Sequence, residues 1–280
     1  MNATREERAP DEHPHRGAEI EWWAIELVAS DPTRGLDLGG YVQITTFAGS
    51  PAWCWIGLAV PAGPVLVRDQ DVPRPRGDAL LARGDALWCE LVCETPMEHW
   101  AVNVEAFGVL LDDPFDAWSG EVGHRVPVGA ELDWEVATAR VERGRRDGAA
   151  GCGGYEHGGT VRGELIVGAD TITIDGVGRR VHEWGLPAWW DDAAGHDEWS
   201  RFDDGTWSWR DSAFDDVRVD VAGAVPLVVE RVGDPTRRVD RALVRATRGD
   251  GVAGVGWRST VVPDRIGEPS VEPEGGEAGR

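Results

Sequence analysis

Along most of this chain, apolar residues recur at every second position. Ile25 and Leu27 alternate with Ala24 and Glu26, and Val42, Ile44 and Thr46 alternate with Gln43 and Thr45. Leu87, Cys89, Leu91 and Cys93 share one face; so do Trp100, Val102, Val104 and Ala106, and Leu132, Trp134, Val136 and Thr138. The pattern returns in 161–167, 171–174, 179–184, 217–221, 226–232 and 241–247. An extended backbone sends successive side chains to opposite faces, so each run predicts a β-strand. Gly, Pro and Asp between the runs predict turns joining antiparallel neighbours. No stretch carries a helical stripe over three turns. The expected fold is all-β: two antiparallel barrels or sandwiches packed together, with few short helices.

The alternation stops in three places. Residues 1–17 are charged and hold two prolines, and residues 263–280 have almost no apolar content. Both read as disordered segments. The third break, 142–154, is charged and glycine-rich. It is the expected boundary between an N-terminal β-barrel domain, 18–145, and a C-terminal one, 150–262.

Composition narrows the function. The chain has 280 residues, with 28 basic against 50 acidic side chains and a net charge of −22. Every basic residue is arginine. Without lysine there is no Schiff-base chemistry and no Walker-type phosphate loop. The acid excess repels nucleic-acid phosphates and anionic membranes. No apolar run approaches a membrane span, and the first 17 residues lack the apolar stretch of a signal peptide. Cys54, Cys89, Cys93 and Cys152 read as free thiols. These features predict a soluble cytoplasmic protein. The sequence is silent on protein partners. GxSxG, HExxH and CxxC are absent, and GVGRRV (176–181) lacks the third glycine of a dinucleotide fingerprint. No cofactor is expected.

The chemistry concentrates between Gly153 and Asp204. Tyr155, Glu156 and His157 stand between two glycine pairs, and Asp175-Gly176 marks a hairpin turn. Alternation then puts Arg180, His182 and Trp184 on one face and Arg179, Val181 and Glu183 on the other. The first face is either the solvated outside of a sheet or the lining of a barrel. In the second case it supplies a charge, a titratable group and an apolar wall to one space. Six of the 15 tryptophans, including Trp189 and Trp190, fall between 184 and 209. Phe202, Asp203 and Asp204 lie among them. Near the N-terminus, Glu21 and Trp23 share a face and repeat the pairing of carboxylate with indole. Such indoles line pockets for apolar ligands or shelter a cation. His13 and His15 sit in the polar head and receive no role.

The string IDGVGRRVHEWG resembles a DGxGxRDHSWG-like segment of two-domain, lipocalin-like proteins, the AttH-like proteins and carotenoid 1,2-hydratases. The N-terminal EWW, the Trp100 strand, Asp113-Pro114-Phe115 and Tyr155-Glu156 stand in a compatible order over about residues 18–260. Val181 and Glu183 depart from the Asp and Ser of that pattern. The resemblance implies two calycin-type barrels packed together, with a ligand cavity. Two functions follow as expectations. One is acid-catalysed hydration, cyclisation or isomerisation of a small isoprenoid- or polyketide-like molecule. His182, Glu21, Asp203, Tyr155 and Glu156 are then the catalytic candidates, and Arg180, Trp184, Trp23, Trp189 and Trp190 the binding ones. The other is a non-catalytic carrier or sensor of an apolar ligand. A metal site built from His157, His182 and nearby carboxylates is a third reading, but its spacing matches no standard motif.

Overall fold

The structure is a computed structural model that describes residues 9–31, 36–77, 79–143, 152–185, 190, 195–209, 217–229 and 236–262. Its first strands are β1 (Ile20–Asp31), β2 (Leu36–Phe47), β3 (Ala52–Val60), β4 (Gly63–Val72), β5 (Leu80–Gly84) and β6 (Leu87–Thr95). They are followed by β7 (His99–Leu111), β8 (Gly123–Val136), β9 (Val141–Glu142), β10 (Gly153–Val167) and β11 (Asp170–Trp184). The last are β12 (His196–Phe202), β13 (Trp207–Trp209), β14 (Val217–Ala224), β15 (Leu227–Val229), β16 (Arg237–Arg248) and β17 (Ala253–Val262). Two short 3-10 turns, Ala9–Glu12 and Pro114–Trp118, accompany the strands. No helix there is long and apolar enough to cross a membrane.

The strands form two antiparallel sheets, as the alternation predicts. The larger runs β4-β3-β2-β1-β11-β10-β8-β7-β6-β5, with β9 on β10. Val65 and Leu66 of β4 also pair with Leu110 and Val109 of β7. That contact closes eight strands, from β4 through β1, β11 and β10 to β7, into a cylinder. The smaller sheet runs β13-β12-β17-β16-β14, with β15 on β16. Among the described residues no pairing joins β13 to β14, so the described strands of this sheet do not close into the second of the two expected barrels. The larger sheet does not divide at 142–154. Strands β10 and β11, beyond that segment, lie between β8 and β1, and the second sheet begins only at His196.

Packing explains why some strands alternate and others read as apolar runs. One core lies inside the cylinder, where Trp23, Ile25 and Leu27 belong to one cluster with Ile44, Ile56, Leu91, Trp100, Trp134 and Leu165. A second core lies between the sheets, where Trp22, Ala24, Trp53 and Trp55 meet Trp190, Trp199, Leu243 and Trp257. All nine residues of β3 are buried, because both of its faces are covered. The β7 strand turns one face to solvent, and its burial alternates accordingly.

Candidate active site

The site grows from the period-two geometry of β11. Arg180, His182 and Trp184 point into the cylinder near one end and are 2%, 0% and 9% exposed. Arg179, Val181 and Glu183 point to the second sheet. Strand register supplies the neighbours: His182 stands opposite Trp23 on β1 and Tyr155 on β10. Arg180 stands opposite His157. The glycine pairs around Tyr155-Glu156-His157 make room for indoles. A Cβ at Gly153 would lie 2.6 Å from the Trp184 ring, and one at Gly159 2.5 Å from that of Trp134.

The described part of the head, 9–17, packs over this end of the cylinder. It was expected to be disordered; the structure instead buries Glu12 in the site and packs the half-buried His15 against it. The Glu12 carboxylate accepts from Arg180 Nη2 at 2.8 Å, from the Tyr155 hydroxyl at 2.8 Å and from the Met97 amide at 2.7 Å. The His15 ring stacks on Trp184 with centroids 3.8 Å apart. Its Nδ1 lies 2.8 Å from Glu21 Oε1, and its backbone N–H donates to both oxygens of that carboxylate. His182 Nε2 reaches the same Oε1 at 2.9 Å. His15 and Glu12 were missed because polar, proline-bearing composition is also what a disordered head shows. Their partners lie far along the chain, with 168 positions between Glu12 and Arg180.

The electrostatics follow from this arrangement. Burial raises the Glu21 pKa, but its bonds to His15 and His182 outweigh that and hold it below the usual carboxylate value. Burial depresses His182, against the pull of Glu21, so its neutral form is favoured. In that form Nε2–H donates to Glu21, a tautomer assigned from the hydrogen bond. The other nitrogen, Nδ1, then carries a lone pair. It is buried without a hydrogen-bond partner, and the centroid of its ring lies 4.7, 5.0 and 5.6 Å from those of Trp23, Trp184 and Tyr155. Burial pushes the Tyr155 hydroxyl well above its ordinary value. Burial also opposes the Arg180 charge, but Tyr155 and Glu12 more than restore it.

His157 is held down to about 4, by burial first and by the Arg180 charge second, with weaker opposition from the Thr138 backbone and Glu12. Its neutral state therefore favours the fold. That contribution is complete above the unfolded value near 6.5 and is lost as pH falls towards 4, at up to ~1.4 kcal/mol per pH unit. Urea unfolding at a series of pH values should show this loss in the wild type. His157→Phe should remove that component of the slope.

Three candidates lie elsewhere. Glu156 alternates to the other face of β10 and bonds Arg143 and Arg179 at 2.9 and 3.1 Å. It belongs to a buried ion cluster between the sheets, formed by Arg143, Arg179 and Arg241 with Glu26, Glu156, Glu183 and Asp197. Asp203 is exposed in the turn after β12. Trp190 packs between the sheets against Trp22 and Trp55. Trp189 lies outside the described residues. The structure adds Glu12, His15, His157, Trp100 and Trp134 to the site. Arg180 lies 4.8 and 5.7 Å from the last two rings.

His15, Glu21 and His182 offer ligand atoms within 4.8 Å of one another, a spacing that would admit a divalent ion. The hydrogen bonds among those same atoms account for the arrangement without one. His157, named in the metal reading of the sequence, is not part of this group.

Comparison with known proteins places the chain. The model of a family described as "Domain of unknown function (DUF7064)" matches residues 8–207. The chain belongs to that family. The matched span begins at the head and takes in every residue of the site. No curated protein matches the sequence. Among solved structures, a putative AttH from Nitrosomonas europaea has 15% sequence identity and a TM-score of 0.56, over 90% of this chain and 95% of that one. Kievitone hydratase from Nectria haematococca has 12% identity and a TM-score of 0.50, over 86% and 88%. At these identities the likeness is one of fold. The DUF7064 chain thus shares the AttH-like architecture to which the motif around Arg180 pointed.

Proposed function

We propose that this protein binds a small hydrophobic molecule, of isoprenoid or polyketide type, inside a lipocalin-like cylinder and moves a proton on it. Hydration, cyclisation and isomerisation all need such a transfer. The observation that carries the reading is the His182–Glu21 pair. A charged carboxylate fixes one imidazole nitrogen and leaves the other buried, unpaired and walled by aromatic rings. This is the arrangement of an oriented general base: Nδ1 takes a proton, Glu21 stabilises the imidazolium, and the proton returns to a different atom. Trp23, Trp100, Trp134 and Trp184 supply the apolar wall, and Arg180 with Tyr155 the polar anchor. The hydratase name of one protein of similar fold agrees with this reading. The four free thiols and the acidic surface suit a cytoplasmic protein.

The test is deuterium transfer. The protein is incubated in heavy water with geraniol and, separately, with 1-phenylbut-2-en-1-one, and the recovered molecules are weighed by mass spectrometry. Carbon-bound deuterium above that of a protein-free control, or a product heavier by one water, supports catalysis. Neither change, together with an unaltered ligand in native mass spectra of protein from its host, favours a carrier. The head segment packed over the site, with Glu12 bonded three times, is what commends that second reading.

A further inference from the structure

A second set of buried polar atoms lies beside the His182–Glu21 pair, and among the described residues several of them make no hydrogen bond. Arg180 is 2% exposed, yet only its Nη2 has partners, Glu12 and Tyr155; Nε and Nη1 have none. His157 is 4% exposed, and neither ring nitrogen makes a hydrogen bond of normal geometry. The indole N–H groups of Trp23 and Trp100, in the same core, are also unpartnered. Leaving a buried donor unmatched costs ~1–3 kcal/mol, and more when it is charged. Several in one place call for a guest that accepts.

The charge balance narrows the guest. Glu12 already neutralises Arg180, so a second full anion would find no spare counter-charge. His157 favours its neutral form and adds an N–H. A neutral oxygen that becomes negative during reaction suits such a place best, because preorganised donors stabilise developing charge. A carbocation beside the guanidinium would be repelled.

We infer that Arg180 and His157 hold the carbonyl oxygen of an α,β-unsaturated ketone, and that the reaction shifts its double bond through a dienolate. The inference rests on the proton-transfer reading above and names its substrate class. His182 Nδ1 removes a proton from the γ-carbon. The C–H pair becomes a new C=C bond, the conjugated electrons move towards the carbonyl, and oxygen takes the charge facing Arg180. The imidazolium then returns its proton to the α-carbon, and the C=O bond re-forms. Formula and oxidation state are unchanged, so no co-reactant is needed. Tyr155 separates the two ends of the site, with its ring centroid 5.6 Å from both His157 and His182.

The experiment titrates full-length protein with three enones that carry γ-hydrogens, cyclohex-2-enone, isophorone and 1-phenylbut-2-en-1-one, and with cyclohexene and trans-β-methylstyrene as hydrocarbon counterparts. Tryptophan quenching reports affinity and the enone absorption band reports the carbonyl's surroundings. At least one enone should bind with its band shifted to longer wavelength. Arg180→Met should weaken enone binding by about tenfold or more and abolish the shift, leaving the hydrocarbons unaffected. Because Arg180→Met strands Glu12, it is also made with Glu12→Gln. His157→Phe removes only a weak contact with the Thr138 backbone and should reduce the shift on its own. His182→Gln should keep the shift while losing deuterium exchange. An enone shift without exchange would refute proton transfer and leave the carbonyl site standing. Exchange on geraniol without any enone shift would refute the carbonyl site and leave proton transfer standing. Equal effects of Arg180→Met and His157→Phe on enones and hydrocarbons would also overturn the assignment.

Discussion

His182→Gln should lower the rate of proton exchange by about 10²–10⁴-fold, the span that a positioned general base contributes. The glutamine amide can still donate to Glu21, so the carboxylate keeps a partner and the strand register is undisturbed. What disappears is the basic lone pair at Nδ1. Glu21→Gln tests the same machinery from the other side. A neutral amide no longer stabilises the imidazolium and does not enforce the Nε2–H tautomer, so the rate should fall although His182 is intact. The rate is read as deuterium uptake by mass spectrometry, and near-ultraviolet circular dichroism of the tryptophans checks that both variants fold. A His182→Gln variant that is folded and retains the wild-type rate would remove this residue from the chemistry.

The largest expected loss of stability lies at Arg179, outside the site. This guanidinium is 1% exposed and bonds Glu26, Glu156 and Asp197 at 2.8, 3.1 and 2.6 Å. Arg179→Met keeps most of the volume but leaves three carboxylates sharing Arg143 and Arg241. Removing one partner of a buried ion pair costs about 3–5 kcal/mol, because the other charge stays in a poor solvent. For a chain of this size the melting temperature should fall on the order of 10 °C. Asp197 sharpens the test. Burial works against its charge, but Arg143 and Arg179 hold its pKa well below the ordinary carboxylate value. Its contribution is therefore present above that ordinary value and lost as pH falls through the depressed one. Adding Asp197→Asn to Arg179→Met should recover part of the loss, and a double-mutant cycle in urea measures how much. A change below about 1 kcal/mol for Arg179→Met would mean that the cluster behaves like an exposed one.

Both results bear on what could be read before the fold was known. Arg180, His182 and Trp184 were placed on one face by alternation alone, and the neighbouring Arg179 and Glu183 on the other. Whether that face met solvent or a core could not be decided from β11 itself. It was decided by β1 and β10, which flank the strand and bring Glu21, Trp23 and Tyr155 to it. Glu156 illustrates the opposite outcome. Its sequence neighbours Tyr155 and His157 both enter the site, but a one-residue step on a strand turns a side chain to the other face. Asp203 and Trp190 were grouped with the site by closeness in sequence, which says little about closeness across a sheet.

Alternation is a property of the local backbone, so the strands, their antiparallel class and the sidedness of β11 were legible in the order of residues. The long apolar run of β3 also carried, in retrospect, the mark of a strand covered on both faces. Pairing is a contest between distant segments, and its outcome is visible in the folded chain alone. It joined β10 and β11 to the first cylinder and linked Glu21 to His182 across 161 positions. It also drew Glu12 and His15 from a polar head into a buried site. A charged residue reads as exposed until its counter-charge is known, and here those partners lie at the far end of the matched family region.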